Sequence, residues 1–110
     1  MITLHYLQCS RSFRILWALE ELGMDYQVEY YQRLPSYAAP ESLKQIHPLG
    51  KAPILVDDEN VIVESAVILD YLQQQYDVKQ QFKPQQFKDQ LQYSYWMHYA
   101  EGSLMNWLVM

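Results

Sequence analysis

Residues 47–72 read His47-Pro-Leu-Gly-Lys-Ala-Pro-Ile-Leu-Val-Asp-Asp-Glu-Asn-Val-Ile-Val-Glu-Ser-Ala-Val-Ile-Leu-Asp-Tyr-Leu72. Pro53 opens a short apolar strand, Ile54 to Val56, the acidic turn Asp57 to Asn60 reverses the chain, and Val61 to Val63 runs back beside it. Glu64 and Ser65 then lead into a helix from Ala66 to Tyr76, where Ile68, Leu69, Leu72 and Tyr76 recur at helical spacing as the stripe expected to be buried. A polar Glu-Ser pair between an apolar strand and an apolar helix is well placed to meet a ligand. The first turn of a helix offers unpaired N–H groups and a partial positive charge, so a carboxylate can dock there. Ser65 can cap the helix, an ordinary role for serine, or hydrogen-bond a ligand, or do both.

Nearer the start of the chain, Ile2 to Leu7 reads as a strand that opens the domain, and Gln8 to Ser12 as a short polar loop. Phe13 to Leu22 reads as a helix, with Phe13, Leu16, Trp17 and Leu19 at helical spacing and Glu20 and Glu21 toward water. Ser10 or Ser12 can cap its start, and Gly23 stands where a helix-ending glycine belongs. Asp25 to Tyr31 is a second strand with Tyr26, Val28 and Tyr30 on one face, parallel to the first through a right-handed crossover. Pro35 and Pro40 punctuate a weakly patterned stretch, and Glu41 to Ile46 can form a short helix. The order is therefore β-α-β-(α)-β-β-α, an α/β domain over residues 1–76.

Beyond it, residues 77–86 are polar and glutamine-rich and read as a linker, with Pro84 suited to the first turn of a following helix. Residues 87–110 read as that helix, with Phe87, Leu91, Tyr95 and His98 along one face and Leu104, Trp107 and Leu108 continuing it. From Leu104 to Met110 the helix is apolar on nearly every side and nothing later in the chain covers it. The expectation is a fragment of a longer protein, associating into a dimer or larger assembly through that uncovered surface.

Composition narrows the function classes. With 110 residues, half of them apolar and 15% aromatic, the chain has enough for one folded core. A net charge of −5 and the lack of a Lys/Arg run argue against nucleic acid as partner. No apolar run approaches the roughly 20 residues of a membrane span, and Arg11, Arg14 and Glu20 break any signal-peptide pattern. The single cysteine, Cys9, rules out an internal disulfide and suits a reducing cytoplasm. His5, His47 and His98 are scattered, so no metal site is expected, and Gly23, Gly50 and Gly102 lie too far apart for a phosphate loop.

The Pro48-Leu-Gly-Lys-Ala-Pro53 run, the Glu64-Ser-Ala-Val-Ile68 run and the helix sequence Ser10-Arg-Ser-Phe-Arg-Ile-Leu-Trp-Ala-Leu-Glu-Glu-Leu-Gly23 together resemble the glutathione transferase family. The resemblance covers the first 76 or so residues. It implies a thioredoxin-like glutathione-binding domain, with residues 87–110 as the first helix of an otherwise missing all-helical domain that selects the electrophile. It implies a cis bond before Pro53, pairing of the cysteinyl part of glutathione with the backbone at Ala52, Glu64 and Ser65 on the γ-glutamyl end, and Lys51 on the glycine carboxylate. His47 is a second candidate cation in that loop. Glutathione would be the co-substrate and a small electrophile the partner, in a cytoplasmic, homodimeric detoxification enzyme.

Two chemistries compete for the loop after the first strand. In one, Ser10 donates a hydrogen bond to the glutathione thiolate, which attacks an electrophilic carbon and forms a thioether. Arg11 or Arg14 would add positive charge near the sulfur, or be solvated helix residues, and Ser12 would serve only as a cap. In the other, Cys9 is the nucleophile: Cys9-Ser-Arg-Ser12 resembles the monothiol site of glutaredoxins and cysteine-type transferases, and a helix N-terminus lowers a thiol pKa. A third reading is a non-catalytic glutathione-binding or interaction module.

Overall fold

The computed structural model describes residues 1–77 and 86–99. The expected linker mostly falls outside these, as do Leu104, Trp107 and Leu108 of the expected long helix. Two compact units divide at Leu69/Asp70, and each is described on its own.

The first unit begins with β1 (Ile2–Leu7), α1 (Ser12–Glu21) and β2 (Tyr26–Tyr31), followed by a 3-10 turn over Glu41–Gln45. Strands β3 (Ile54–Asp57) and β4 (Asn60–Val63) form a hairpin, and α2 (Ser65–Tyr76) begins in this unit and ends in the next. The sheet order is β2-β1-β3-β4. β1 and β2 are parallel, as the crossover requires, and β3 is antiparallel to both of its neighbours. Asp58, at φ 54°, makes the reversal between β3 and β4 in two residues, a turn whose twist matches that of the strands.

The register explains the core. Leu4 pairs with Leu55, and Leu55 with Ile62, so these three share one face, while His5, Leu7 and Ile54 fall on the other. Leu4, Leu55 and Ile54 are fully buried and Leu7 nearly so, which means the middle of the sheet is covered on both sides. Leu43 of the 3-10 turn and Ile15 and Leu19 of α1 are fully buried as well. β2, at the edge, is different: Tyr26, Val28 and Tyr30 share a face as expected, but Val28 and Tyr30 are exposed, and Tyr30 stacks on Tyr6.

The buried side of α1 is the expected one only in part: Leu19 is buried and Glu20 and Glu21 are exposed as expected, but the large aromatics are not inside. Ser12, Ile15, Ala18 and Leu19 face inward, while Phe13 and Trp17 are 56% and 60% exposed and line a shallow apolar hollow with Leu16 and Glu20. Apolar residues lie on both sides of this helix, so its periodicity fits two faces equally well. The large aromatics marked the wrong one, because the inner line begins with a serine. The end of α1 is as expected. Gly23, at φ 66°, donates to Glu20 O (3.0 Å) and Met24 to Leu19 O (3.2 Å), a left-handed cap that satisfies two orphan carbonyls. A Cβ on Gly23 would meet nothing within 4 Å, so Gly23→Ala isolates the backbone term and should lower stability by about 1 kcal/mol, read as the shift of a urea midpoint at constant m.

In the second unit, Leu72 is fully buried, and Tyr71 and Tyr76 meet edge to face. α3 (Phe87–Tyr99) carries Phe87, Leu91, Tyr95 and Trp96 more than half exposed. Tyr95, Trp96 and Tyr99 pack on one another along it. The phenol of Tyr93 is pushed up by burial, with Asp70 and Asp77 adding to the effect. Among the described residues no helix is long and apolar enough to cross a membrane.

Candidate functional site

The edge where β3 begins is shaped by chain chemistry. Ala52–Pro53 is cis. The β1–β3 ladder runs from Ile2/Asp57 to His5/Ile54 and does not extend to Pro53. Pro53 is buried, and shortly before it Gly50 (φ 60°) turns the chain, its N–H donating to His47 O at 2.9 Å. Nδ1 of His47 accepts from the Leu49 N–H at 3.2 Å, which gives this loop histidine a structural task.

Across from this loop, Glu64 joins β4 to α2 with φ 74°, a left-handed conformation uncommon for a residue other than glycine. Its carbonyl accepts from the Ile68 N–H at 2.9 Å, so Glu64 holds the capping position and Ser65 is the first residue of α2, one earlier than expected. Lys51, Ala52, Pro53, Glu64 and Ser65 line one cleft of about 150 Å³, completed by Arg11, Leu49 and Val63. All five residues expected on sequence grounds to bind the tripeptide are thus brought together. Lys51 is exposed and makes no ion pair among the described residues, Glu64 is exposed, and Ser65 is 5% exposed. The cleft is therefore lined by two cations, Lys51 and Arg11, and by a carboxylate beside a helix N-terminus.

Ser10 and Cys9 do not line the cleft, but Arg11, next in the chain, does. Cys9 is exposed with φ 53°. Arg33 braces this turn from the far side. Its Nε donates to Gln8 O (2.9 Å), Nη2 to Cys9 O (3.1 Å) and Nη1 to Tyr37 O (2.8 Å), which ties the loop after β1 to the loop after β2. Ser12 is not the cap it was expected to be. The residue at the capping position is Arg11, with no side-chain capping bond, and Ser12 is fully buried, its Oγ accepting from the Leu7 N–H at 3.2 Å. Ser10 Oγ accepts from the Ser12 N–H at 3.0 Å, contacts Ser12 Oγ at 2.7 Å and lies 2.7 Å from Leu7 O. Sequence reasoning missed Arg33, which belongs to no spaced motif, and the burial of Ser12, which it read as a cap, and it undervalued Arg11.

His5, on the buried face of β1, places Nδ1 2.8 Å from the Tyr31 hydroxyl. Burial lowers its pKa below the usual 6.5, only partly opposed by Glu29. The neutral ring is favoured in the fold, so below about pH 6.5 the unfolded chain binds the extra proton and stability falls as pH falls. A denaturant midpoint measured from pH 7 to pH 5 should decline, and His5→Gln should flatten that decline. Among the described residues no cluster of histidine, cysteine and carboxylate could hold a metal ion.

A β2-β1-β3-β4 sheet with α1 in its first crossover, a cis-proline at the start of β3 and a small cleft between that proline and the N-terminus of the next helix defines the thioredoxin-like class of domain. The model of the glutathione S-transferase N-terminal domain matches residues 1–74, and the chain belongs to that family. It is 45% identical over 107 residues to glutathione S-transferase 3 of Schizosaccharomyces pombe, covering 96% of this chain and 43% of that protein. Among solved structures it is similar to a glutathione S-transferase from Actinobacillus pleuropneumoniae, with a TM-score of 0.84, 48% identity, and coverage of 87% of this chain and 46% of that one. It is also similar to a theta class glutathione S-transferase from Xanthomonas axonopodis pv. citri with glutathione bound, with a TM-score of 0.77, 25% identity, and coverage of 96% and 50%. The chain spans about half the length of these relatives or less.

Proposed function

We propose that this chain carries the glutathione-binding half of a glutathione transferase, and that the longer protein joins glutathione to small electrophiles. The observation that carries the reading is the convergence of Lys51, Ala52, Pro53, Glu64 and Ser65 on one cleft. The γ-glutamyl ammonium would pair with Glu64, and its carboxylate would accept hydrogen bonds at the N-terminus of α2 from Ser65. The cysteinyl backbone would lie along Ala52–Pro53, the glycine carboxylate would meet Lys51, and the sulfur would point toward Ser10. The cleft is smaller than the roughly 300–1,000 Å³ of most small-molecule sites, so part of the tripeptide would lie outside it and binding to this chain alone should be weak. The exposed Phe87, Leu91, Tyr95 and Trp96 support association into a homodimer, and the lone Cys9 a cytoplasmic setting.

A second reading draws on the exposure of Cys9 beside Ser10: thiol–disulfide exchange in which Cys9 forms a mixed disulfide with glutathione and a second glutathione releases it. Cys9→Ser separates the two, because it abolishes exchange and leaves conjugation by the longer protein intact. The main reading is tested by titrating reduced glutathione into the isotope-labelled chain and following its amide signals. Shifts concentrated at Lys51, Ala52, Glu64 and Ser65 are expected. Shifts confined to other parts of the sheet would overturn the assignment of the cleft.

A further inference from the structure

Ser12 is a buried hydroxyl outside the cleft, and its partners give it a part in the chemistry. By the two-residue alternation of a strand, the N–H and C=O of Leu7 point the same way as those of His5, toward β3. β3 offers no partner there, since it begins only at Ile54 and its pairing with β1 stops at His5/Ile54. Buried backbone groups need partners, and Leu7 finds them in two serines. Its N–H donates to Ser12 Oγ at 3.2 Å, and its carbonyl accepts from Ser10 Oγ at 2.7 Å. The two hydroxyl oxygens stand 2.7 Å apart, a contact that carries one proton. Ser10 has one proton, and while Leu7 O accepts it, the proton between the hydroxyls belongs to Ser12. Ser10 Oγ then accepts twice, from the Ser12 N–H at 3.0 Å and from the Ser12 hydroxyl.

We infer that Ser12 is a positioning residue that makes Ser10 a stronger hydrogen-bond donor to the thiolate of bound glutathione. The inference rests on the proposed glutathione-binding reading. When the thiolate of bound glutathione reaches past the cleft to Ser10, the Ser10 proton turns from Leu7 O to the sulfur, and the thiol proton leaves to water. Both donors from Ser12 stay on Ser10 Oγ and polarise its O–H bond, as hydrogen bonds in a chain strengthen one another in a low-dielectric setting. Ser12 itself never touches the sulfur. Its complete burial fixes the rotamer and shields the relay from water.

The test follows the thiol of glutathione labelled with carbon-13 at the cysteinyl Cβ, titrated with pH while bound to the chain. The unaltered chain should lower the thiol pKa. Ser12→Ala should cut the bound thiolate fraction at neutral pH by about fivefold while glutathione affinity at low pH is kept, whereas Ser65→Ala should weaken affinity and leave the thiol pKa in place. Ser10→Ala and the Ser10→Ala/Ser12→Ala double variant should give the same thiol pKa, since Ser12 acts through Ser10. If Ser12→Ala does not fold, Ser12→Cys keeps the shape with a weaker donor and should give an intermediate value. An unchanged thiol pKa in a folded Ser12 variant, or equal and additive effects of the two serines, overturns the inference while the binding reading stands. Binding without any lowering of the thiol pKa in the unaltered chain also overturns it. No binding at all overturns both.

Discussion

Leu55→Ala should lower the stability of this chain by about 2–5 kcal/mol, a large part of the roughly 5–15 kcal/mol available to a domain of this size. Leu55 is fully buried at the centre of the sheet, opposite Leu4 on one side and Ile62 on the other. Truncation removes apolar contact and leaves a cavity that two ordered strands cannot close. A surface control such as Val61→Ala, with the side chain 45% exposed, should shift the midpoint by well under half as much. Urea melts of both variants check this. Equal shifts at the two positions would mean that the sheet is not the core.

The second large effect is expected at Gly50. It holds φ 60°, where a side chain costs about 1–2 kcal/mol, and an added Cβ would stand 2.7 Å from Lys44 Cγ. That carbon is near the root of the lysine side chain on the 3-10 turn, so relief requires the rotamer of Lys44 or the turn itself to move. Gly50→Val should therefore destabilise by roughly 2–4 kcal/mol, above the backbone term alone. Lys51 and Ala52, on the cleft wall, follow directly, so glutathione affinity should fall along with the urea midpoint. The double variant Gly50→Ala/Lys44→Ala separates the causes. It should recover the steric part and keep the conformational part. Full recovery would show that the left-handed backbone is not held in solution.

These two positions also show what could be read from the chain alone. The hairpin, the parallel first pair and the helix after Glu64 were legible because short apolar runs, turn residues and 3.6-residue spacing each pointed the same way. Pro53, Lys51, Glu64 and Ser65 were legible because their spacing falls between those elements, and folding the hairpin brings both ends of residues 47–72 to one place. The inner face of α1 was not, because Phe13, Leu16 and Trp17 outweigh Ile15 and Ala18 in any count of hydrophobicity, and a buried serine breaks the pattern. Ser12 is inside for a reason that appears only in three dimensions: the ladder stops at His5/Ile54, which leaves the Leu7 N–H without a strand partner. The clamp of Arg33 on Gln8, Cys9 and Tyr37 was hidden in the same way, since its acceptors are backbone carbonyls, which every residue has.

The most direct test of the account is a calorimetric titration of the purified 110-residue chain with reduced glutathione, run beside folded Ser65→Ala. Saturable binding by the unaltered chain is predicted, weakened about tenfold or more by the substitution, the size expected for losing a hydrogen bond to a charged carboxylate. Equal affinity in the two proteins, or no binding by a folded unaltered chain, would contradict the placement of glutathione between Lys51 and the start of α2.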